Sequence, residues 1–156
     1  MEITKNTDVL IKQEDELQFI NFGGDDALRL GLLIINIAKD EIKKGVAVHI
    51  ENDKHPLFTC YMDGTTDNNL YWVNTKKNVV KKYEHSSLYI GEIYKNQGTT
   101  FHKETNLSDA EYQAEGGSFP LIIKGQGRIG TVTVSGLTGE EDHALAVEGI
   151  RRFLQG

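Results

Sequence analysis

Two apolar runs near the C-terminal end of the chain carry the clearest strand signal. Residues 121–123 form the first run and residues 129–134 the second, and β-branched side chains dominate both. Between them, residues 124–127 supply two glycines that accept positive φ, as a tight turn requires. The pattern therefore predicts an antiparallel β-hairpin.

A terminal helix follows this hairpin. Thr138, with Glu141 three residues later, fits a capping box, and the acidic residues after it suit the positive end of a helix dipole. Further along, the residues that share one face at helical spacing are His143, Val147, Ile150 and Leu154. His143 is thus expected in the first turn, on the side that faces the sheet.

The earlier part of the chain alternates between helical and extended patterns. A short helix is predicted over residues 7–16, and a long apolar helix from Asp25 or Asp26 to Lys44. Strands are predicted over residues 46–50 and 57–62. A second long helix is predicted from about Asn69 to Lys95, followed by an irregular polar segment.

Bulk composition narrows the class of protein. The chain has 156 residues, a net charge of −6, 38% hydrophobic residues and one cysteine, Cys60. These values are typical of one globular domain over residues 1–156 in a reducing compartment, so a cytoplasmic location is expected. The acidic balance argues against nucleic acid as a partner, and the absence of a long apolar run argues against a membrane.

Two segments resemble a catalytic or cofactor-binding motif in residue spacing but do not meet the other requirements of that motif. Residues 125–130 satisfy G-x-G-x-x-G, but a strand pattern follows where a dinucleotide site needs a helix N-terminus. Residues 116–120 approach the nucleophile elbow, yet Pro120 replaces the required glycine. We reject both readings.

A basic stretch lies within the second long helix, at Lys76, Lys77, Lys81 and Lys82. One interpretation is a solvated face whose aliphatic stems cover apolar neighbours. The other is a local site for an anion such as a phosphate, a carboxylate or a propionate. Both interpretations stay open on the sequence alone.

Five segments taken together resemble one family. They are residues 17–19, the loop 64–68 with Trp72, the helix 76–80 with residues 85–87, residues 116–120, and residues 134–137 with 141–143. In this combination and order the chain resembles the uncharacterised-protein branch of the heme-degrading-domain family, which is related to the HbpS and GlcG proteins. The similarity extends from about Leu17 to Leu154.

This resemblance implies several properties. The expected fold class is α/β of the α+β type, a three-layer α/β/α domain with a central, mainly antiparallel sheet, related to profilin-like folds. The resemblance also implies a homo-oligomer and a connection with heme or another small ligand. Where the family is expected to carry histidine before two glycines, this chain has Glu115, which makes heme ligation less favoured.

The resemblance also selects a set of polar residues as candidate ligand-binding groups. An imidazole near a helix N-terminus is pushed toward its neutral form, which can accept a hydrogen bond, take up a proton or ligate a metal. The competing interpretation is that these groups only satisfy buried hydrogen bonds. The candidates are Thr66, Asp67, Asn68, His85, Ser86, Ser87, Ser135, Asp142 and His143.

Three hypotheses of function follow. The first is an oligomer that binds a small anionic or aromatic molecule such as heme. The second is a heme-degrading enzyme, although no flavin or nicotinamide motif is present to supply electrons. The third is a non-catalytic assembly module whose buried polar groups serve packing.

Overall fold

The computed structural model describes residues Met1–Gly156 and contains six α-helices and four β-strands. A π-helical turn, Ala38–Ile42, extends the second helix. The helices are α1 Thr7–Glu16, α2 Gly24–Ile37, α3 Asp67–Tyr83, α4 Ser87–Asn96, α5 Phe101–Thr105 and α6 Gly139–Gln155. The strands are β1 Ala47–Asn52, β2 Pro56–Tyr61, β3 Ser118–Ile123 and β4 Gly127–Ser135.

All four strands form one antiparallel sheet in the order β2-β1-β4-β3. The predicted hairpin is confirmed as β3 and β4, with Gly125 and Gly127 at positive φ in the turn. Pro56, which lacks the amide hydrogen that a central strand needs, begins the edge strand β2. The G-x-G-x-x-G segment forms the hairpin turn and the first residues of β4, which begins at Gly127, so no helix follows its glycines.

Helices cover both faces of this sheet, as the expected three-layer arrangement requires. α2 and α6 pack together on one face, and α3 packs on the other, with α4 beside α3 and α1 against α4. The main core lies on the α2 and α6 side and includes fully buried Ile34, Phe119, Val132, Leu145 and Ile150. The α+β fold is therefore confirmed.

The predicted helix from Asn69 to Lys95 is wrong, because the chain breaks into α3 and α4. Glu84 adopts a left-handed conformation, with φ of 64°, and Ser86 caps the next helix by accepting from the Tyr89 amide. Glu84 also pairs with Arg128 of β4, and this tertiary contact holds a residue type that seldom adopts positive φ. The break places His85 at a corner between two helices.

The predicted start and end of the long apolar helix also need correction. Gly23 is the N-cap of α2, and Asp26 completes the capping box by accepting from the Gly23 amide at 2.9 Å. At the other end a π-helical turn closes at Lys43, which has φ of 62°. Gly31 lets α2 pack closely on β2, because a Cβ there would overlap the Phe58 ring.

None of the helices is both long enough and apolar enough to cross a membrane.

Candidate functional site

The sheet face that α3 covers is polar, unlike the opposite face. Paired residues on β2, β1, β4 and β3 form a row of hydroxyl and imidazole groups across the sheet: Thr59, His49, Thr133 and Ser118. Thr133 and Ser118 are fully buried and hydrogen-bond to each other at 2.9 Å. Buried polar groups of this kind must be satisfied inside the protein, so this layer carries the specific interactions of the fold.

A cleft of about 410 Å³ opens where this polar layer meets the ends of β4, α3 and α6. Only two of its lining residues, Trp72 and Leu137, are hydrophobic, so the surface is rich in hydrogen-bonding groups. The remaining lining residues are Asn68, Asn69, Lys76, Glu115, Ser135, Gly136, Gly139 and Asp142.

A buried ion pair forms the base of the cleft. Lys76 Nζ lies 3.0 Å from Asp142 Oδ2 and 3.4 Å from the Val134 carbonyl, and both charged side chains are almost completely buried. Asp142 Oδ1 also accepts from the Leu137 amide at 2.9 Å. Burial raises the pKa of Asp142, and the charge of Lys76 opposes that rise. The pair links α3 to α6 and places an ammonium group beside the cleft.

Two helix N-termini also border the cleft. Thr66 caps α3, and Asn69 returns its side chain to the Thr66 amide at 2.9 Å. Nδ2 of the same Asn69 side chain donates to Ser135 Oγ at 3.0 Å, and this bond ties α3 to the end of β4. Gly139 begins α6, and its amide has no acceptor within its own helix. Partial positive charge from both helices is therefore directed toward this region.

Close backbone packing explains why two glycines, Gly116 and Gly117, precede β3. A Cβ at Gly116 would overlap the Gly139 carbonyl, and a Cβ at Gly117, which has φ of 142°, would overlap the Val134 carbonyl. The chain therefore passes between α6 and β4 only because both positions lack a side chain. This close passage brings Glu115 to the rim of the cleft.

The two histidines singled out from the sequence do not reach the cleft. His143 Nε2 lies 2.7 Å from Gln13 Oε1, and His85 Nδ1 lies 2.8 Å from Glu14 Oε1. Gln13 and Glu14 are neighbours on α1, so the two imidazoles dock the N-terminal helix onto the rest of the molecule. Burial lowers the pKa of His143 from 6.5 to about 4, so its ring is neutral near pH 7.

The serines near His85 have equally local roles. Ser86 donates its amide to Glu14 Oε2 at 3.0 Å and caps α4 through its hydroxyl. Ser87 is fully buried and accepts from the Ser118 amide at 3.1 Å. These contacts join α4 to α1 and β3.

Three of the nine candidates therefore meet in the cleft, namely Asn68, Ser135 and Asp142. Thr66 and Asp67 line a neighbouring hollow of about 500 Å³. Of the other four, His85, Ser86 and His143 contact α1, whereas Ser87 bonds to Ser118 of β3. Sequence reasoning missed Asn69, although its spacing from Thr66 is that of a capping box, and it did not pair Lys76 with Asp142.

Comparison with known proteins decides the family. The sequence profile of the family described as "Haem degrading protein HbpS-like" matches residues 22–151. The chain belongs to the HbpS-like family.

Similar proteins lie within the UPF0303 group. A UPF0303 protein of Streptomyces coelicolor is 39% identical over 145 residues, which are 93% of this chain and 91% of the relative. A UPF0303 protein of Rhizobium meliloti is 41% identical over 142 residues, which are 91% of this chain and 86% of the relative. The resemblance drawn from the five segments is thus confirmed.

Two solved structures share the fold of this chain. The crystal structure of the Ybr137w protein has a TM-score of 0.86 and 28% identity, covering 96% of this chain and 88% of that one. A PduOC:heme complex has a TM-score of 0.71 and 18% identity, covering 85% and 94%. At that identity the second likeness is evidence for the fold alone.

The residues that line the cleft of this HbpS-like chain offer no axial ligand for heme iron. Heme iron in proteins is held by histidine, cysteine, methionine or tyrosine side chains, and none of the ten residues that line the cleft is of these types. Nor does the structure contain any group of three or more metal-ligating side chains. The cleft of a single chain therefore does not fit axial ligation of iron, and any heme there would be held by contacts to its ring and propionates.

Proposed function

We propose that this HbpS-like protein binds a small organic anion with a planar or aromatic group in the cleft between α3 and α6. The observation that carries the proposal is the combination of one indole, one buried ammonium group and two helix N-termini around one opening. An aromatic ring would lie against Trp72. Its anionic group would be directed toward Lys76 and the first turn of α6.

The polar lining supports a small ligand that makes several hydrogen bonds. Asn68, Asn69 and Ser135 present amide and hydroxyl groups that can both donate and accept. Glu115 at the rim adds a carboxylate, which favours a ligand that carries a hydrogen-bond donor at its outer end. Such a site selects by placement of polar groups, because an unmatched ligand leaves them unpaired.

The chain offers a direct optical test. Trp72 is the only tryptophan, so tryptophan emission reports on the cleft alone. We expect phenylacetate to change this emission saturably, and its neutral isostere phenylacetamide to bind about tenfold more weakly, because the loss of a charge-assisted hydrogen bond is worth roughly 1.5 kcal/mol or more. Hemin is titrated in parallel and followed by absorbance.

Two variants locate the binding. Asn69→Ala removes a lining amide and is expected to weaken binding, whereas Asn21→Ala, at an exposed position before α2 that does not line the cleft, should leave binding unchanged. Equal affinity for the charged and neutral probes would contradict an anion site. Failure of all three ligands to bind would leave the assembly hypothesis as the better account.

We also propose that the protein is a homo-oligomer. Leu28 and Leu32 are each about half exposed on α2, one helical turn apart, and α2 is apolar around most of its circumference. Light scattering after gel filtration should give a mass of at least twice the 17.5 kDa of one chain. A purely monomeric protein at high concentration would refute this part of the proposal.

A further inference from the structure

A second cluster of reactive side chains lies on the polar sheet face, at the edge away from β3. Thr59 Oγ1 lies 2.7 Å from His49 Nδ1, and His49 Nε2 lies 2.8 Å from Glu51 Oε1. None of the three residues lines the cleft. A hydroxyl, an imidazole and a carboxylate thus stand in series on two paired strands.

The direction of these hydrogen bonds follows from the chemistry of Glu51. Its pKa is lowered to about 2, because hydrogen bonds from His49 and Lys77 and the nearby lysine charges outweigh burial. An ionised carboxylate can only accept, so His49 Nε2 carries the hydrogen. In the neutral ring Nδ1 is then a bare acceptor, and the hydroxyl of Thr59 must donate to it. The hydroxyl is therefore aligned for loss of its proton.

The three residues differ in exposure, and this difference suits a reaction of Thr59 with a molecule from solution. His49 and Glu51 are buried, whereas Thr59 is exposed on the edge strand β2. Lys77 and Lys81 lie 2.7 and 3.3 Å from the two Glu51 oxygens and hold that carboxylate in place. Two ammonium groups against one carboxylate leave an excess of positive charge, which favours acyl donors with a negative charge.

We propose that Thr59 is an activated hydroxyl that accepts an acyl group from an activated ester, thioester or acyl phosphate. Thr59 Oγ1 attacks the acyl carbon while its proton passes to His49 Nδ1. The bond from the acyl carbon to the leaving group then breaks, and His49 returns the proton to the leaving group. The products are an ester on Thr59 and the free phenol, thiol or phosphate, and no oxidant or reductant is needed.

p-Nitrophenyl acetate is the probe for this proposal. The full chain is mixed with the ester, release of nitrophenolate is followed by absorbance, and acetylated peptides are mapped by mass spectrometry. We expect one acetyl group on Thr59, gained faster than on the exposed hydroxyl of Ser108. His49→Gln should slow labelling of Thr59 by about a hundredfold, the lower bound for loss of a general base.

Matched variants separate reactivity from folding. Thr59→Ser keeps the hydroxyl and should still be labelled, whereas Thr59→Val keeps the branched shape that suits a strand and should not. Glu51→Gln should slow labelling less than His49→Gln, because the base remains but its orientation is weakened. Labelling of Thr59 at the rate of Ser108, or unchanged labelling in a folded His49→Gln protein, would overturn the proposal.

Discussion

The two faces of the sheet differ sharply in chemistry. On one side, the layer between the sheet and helices α2 and α6 is built from aliphatic and aromatic side chains, among them Ile34, Phe119 and Leu145. On the other side, next to α3, lie the buried Lys76–Asp142 pair and the polar row that runs from exposed Thr59 to buried Ser118. Apolar burial is non-directional and stabilises the fold, whereas buried polar groups demand specific partners. Both the cleft and the Thr59 cluster lie on the second face.

The largest effect is expected from breaking the ion pair on the polar face. Asp142→Asn keeps the shape and the acceptor for the Leu137 amide but leaves the charge of Lys76 buried without a counter-ion. We expect a loss of about 3 to 5 kcal/mol in the free energy of unfolding, measured by urea denaturation.

The double variant Lys76→Met/Asp142→Asn is the matched control. It removes both buried charges, so it should recover most of the lost stability. If the double variant were as unstable as Asp142→Asn, the cost would come from packing and not from an unpaired charge.

On the apolar face the largest effect should come from lost volume. Leu145 is fully buried in the main core, and Leu145→Ala is expected to cost about 2 to 5 kcal/mol through lost transfer energy and a residual cavity. Conversely, Leu145→Met nearly conserves volume and should cost less than about 1.5 kcal/mol. Similar urea midpoints for the two variants would show that this face is not close-packed.

His143 is a polar residue within the apolar layer, and it should make the free energy of unfolding depend on pH. His143 packs edge-on against Phe119, and burial lowers its pKa from 6.5 to about 4. The folded protein therefore binds this proton less readily than the unfolded chain, so the free energy of unfolding falls as the pH drops from about 6.5 to 4. The full loss is roughly 3 kcal/mol.

Denaturation of His143→Gln against wild type between pH 7 and 4 checks this sign. The variant should lack most of the decline over this window. Glu14 has a pKa raised by burial, so its protonation favours the folded state and acts in the opposite direction. The contribution of Glu51 is lost only at lower pH, as its carboxyl approaches a pKa of about 2. If stability declined as much in His143→Gln as in wild type over this window, the account would be contradicted.

The smallest effect concerns the contact between α2 and the edge strand. Gly31→Ala would push a methyl group into Phe58 and should cost about 1 to 3 kcal/mol by overpacking. Gly24→Ala, at the open first turn of the same helix, meets nothing within 4 Å and should be neutral or slightly stabilising. Thermal melting distinguishes them, and equal melting temperatures would show that Phe58 moves away at little cost.

Local signals in the sequence predicted the features that local interactions build. The hairpin, its glycine turn and the Thr138 capping box depend on neighbouring residues and were predicted correctly. The helix break at Glu84 was not, because a left-handed glutamate is held by Arg128, which is 44 residues away in sequence. Residues 82–88 contain no glycine or proline, so the sequence gives no local signal that the helix ends there.

The candidate site was predicted only in part for the same reason. Asp142 and Ser135 were selected by resemblance, but the partner of Asp142 lies 66 residues earlier and becomes visible only in three dimensions. Part of the Thr59 cluster has a recognisable signal in the sequence. Alternation in β1 placed the apolar residues on one face, which left His49 and Glu51 together on the other.

The most direct test of a ligand site on the polar face is a map of amide chemical shifts by NMR during titration with phenylacetate. The account predicts that shifts concentrate at the start of α3, the end of β4 and the first turn of α6, with Asn69, Ser135 and Gly139 among them. Shifts concentrated among the amides of α2, or scattered over the whole surface, would contradict it.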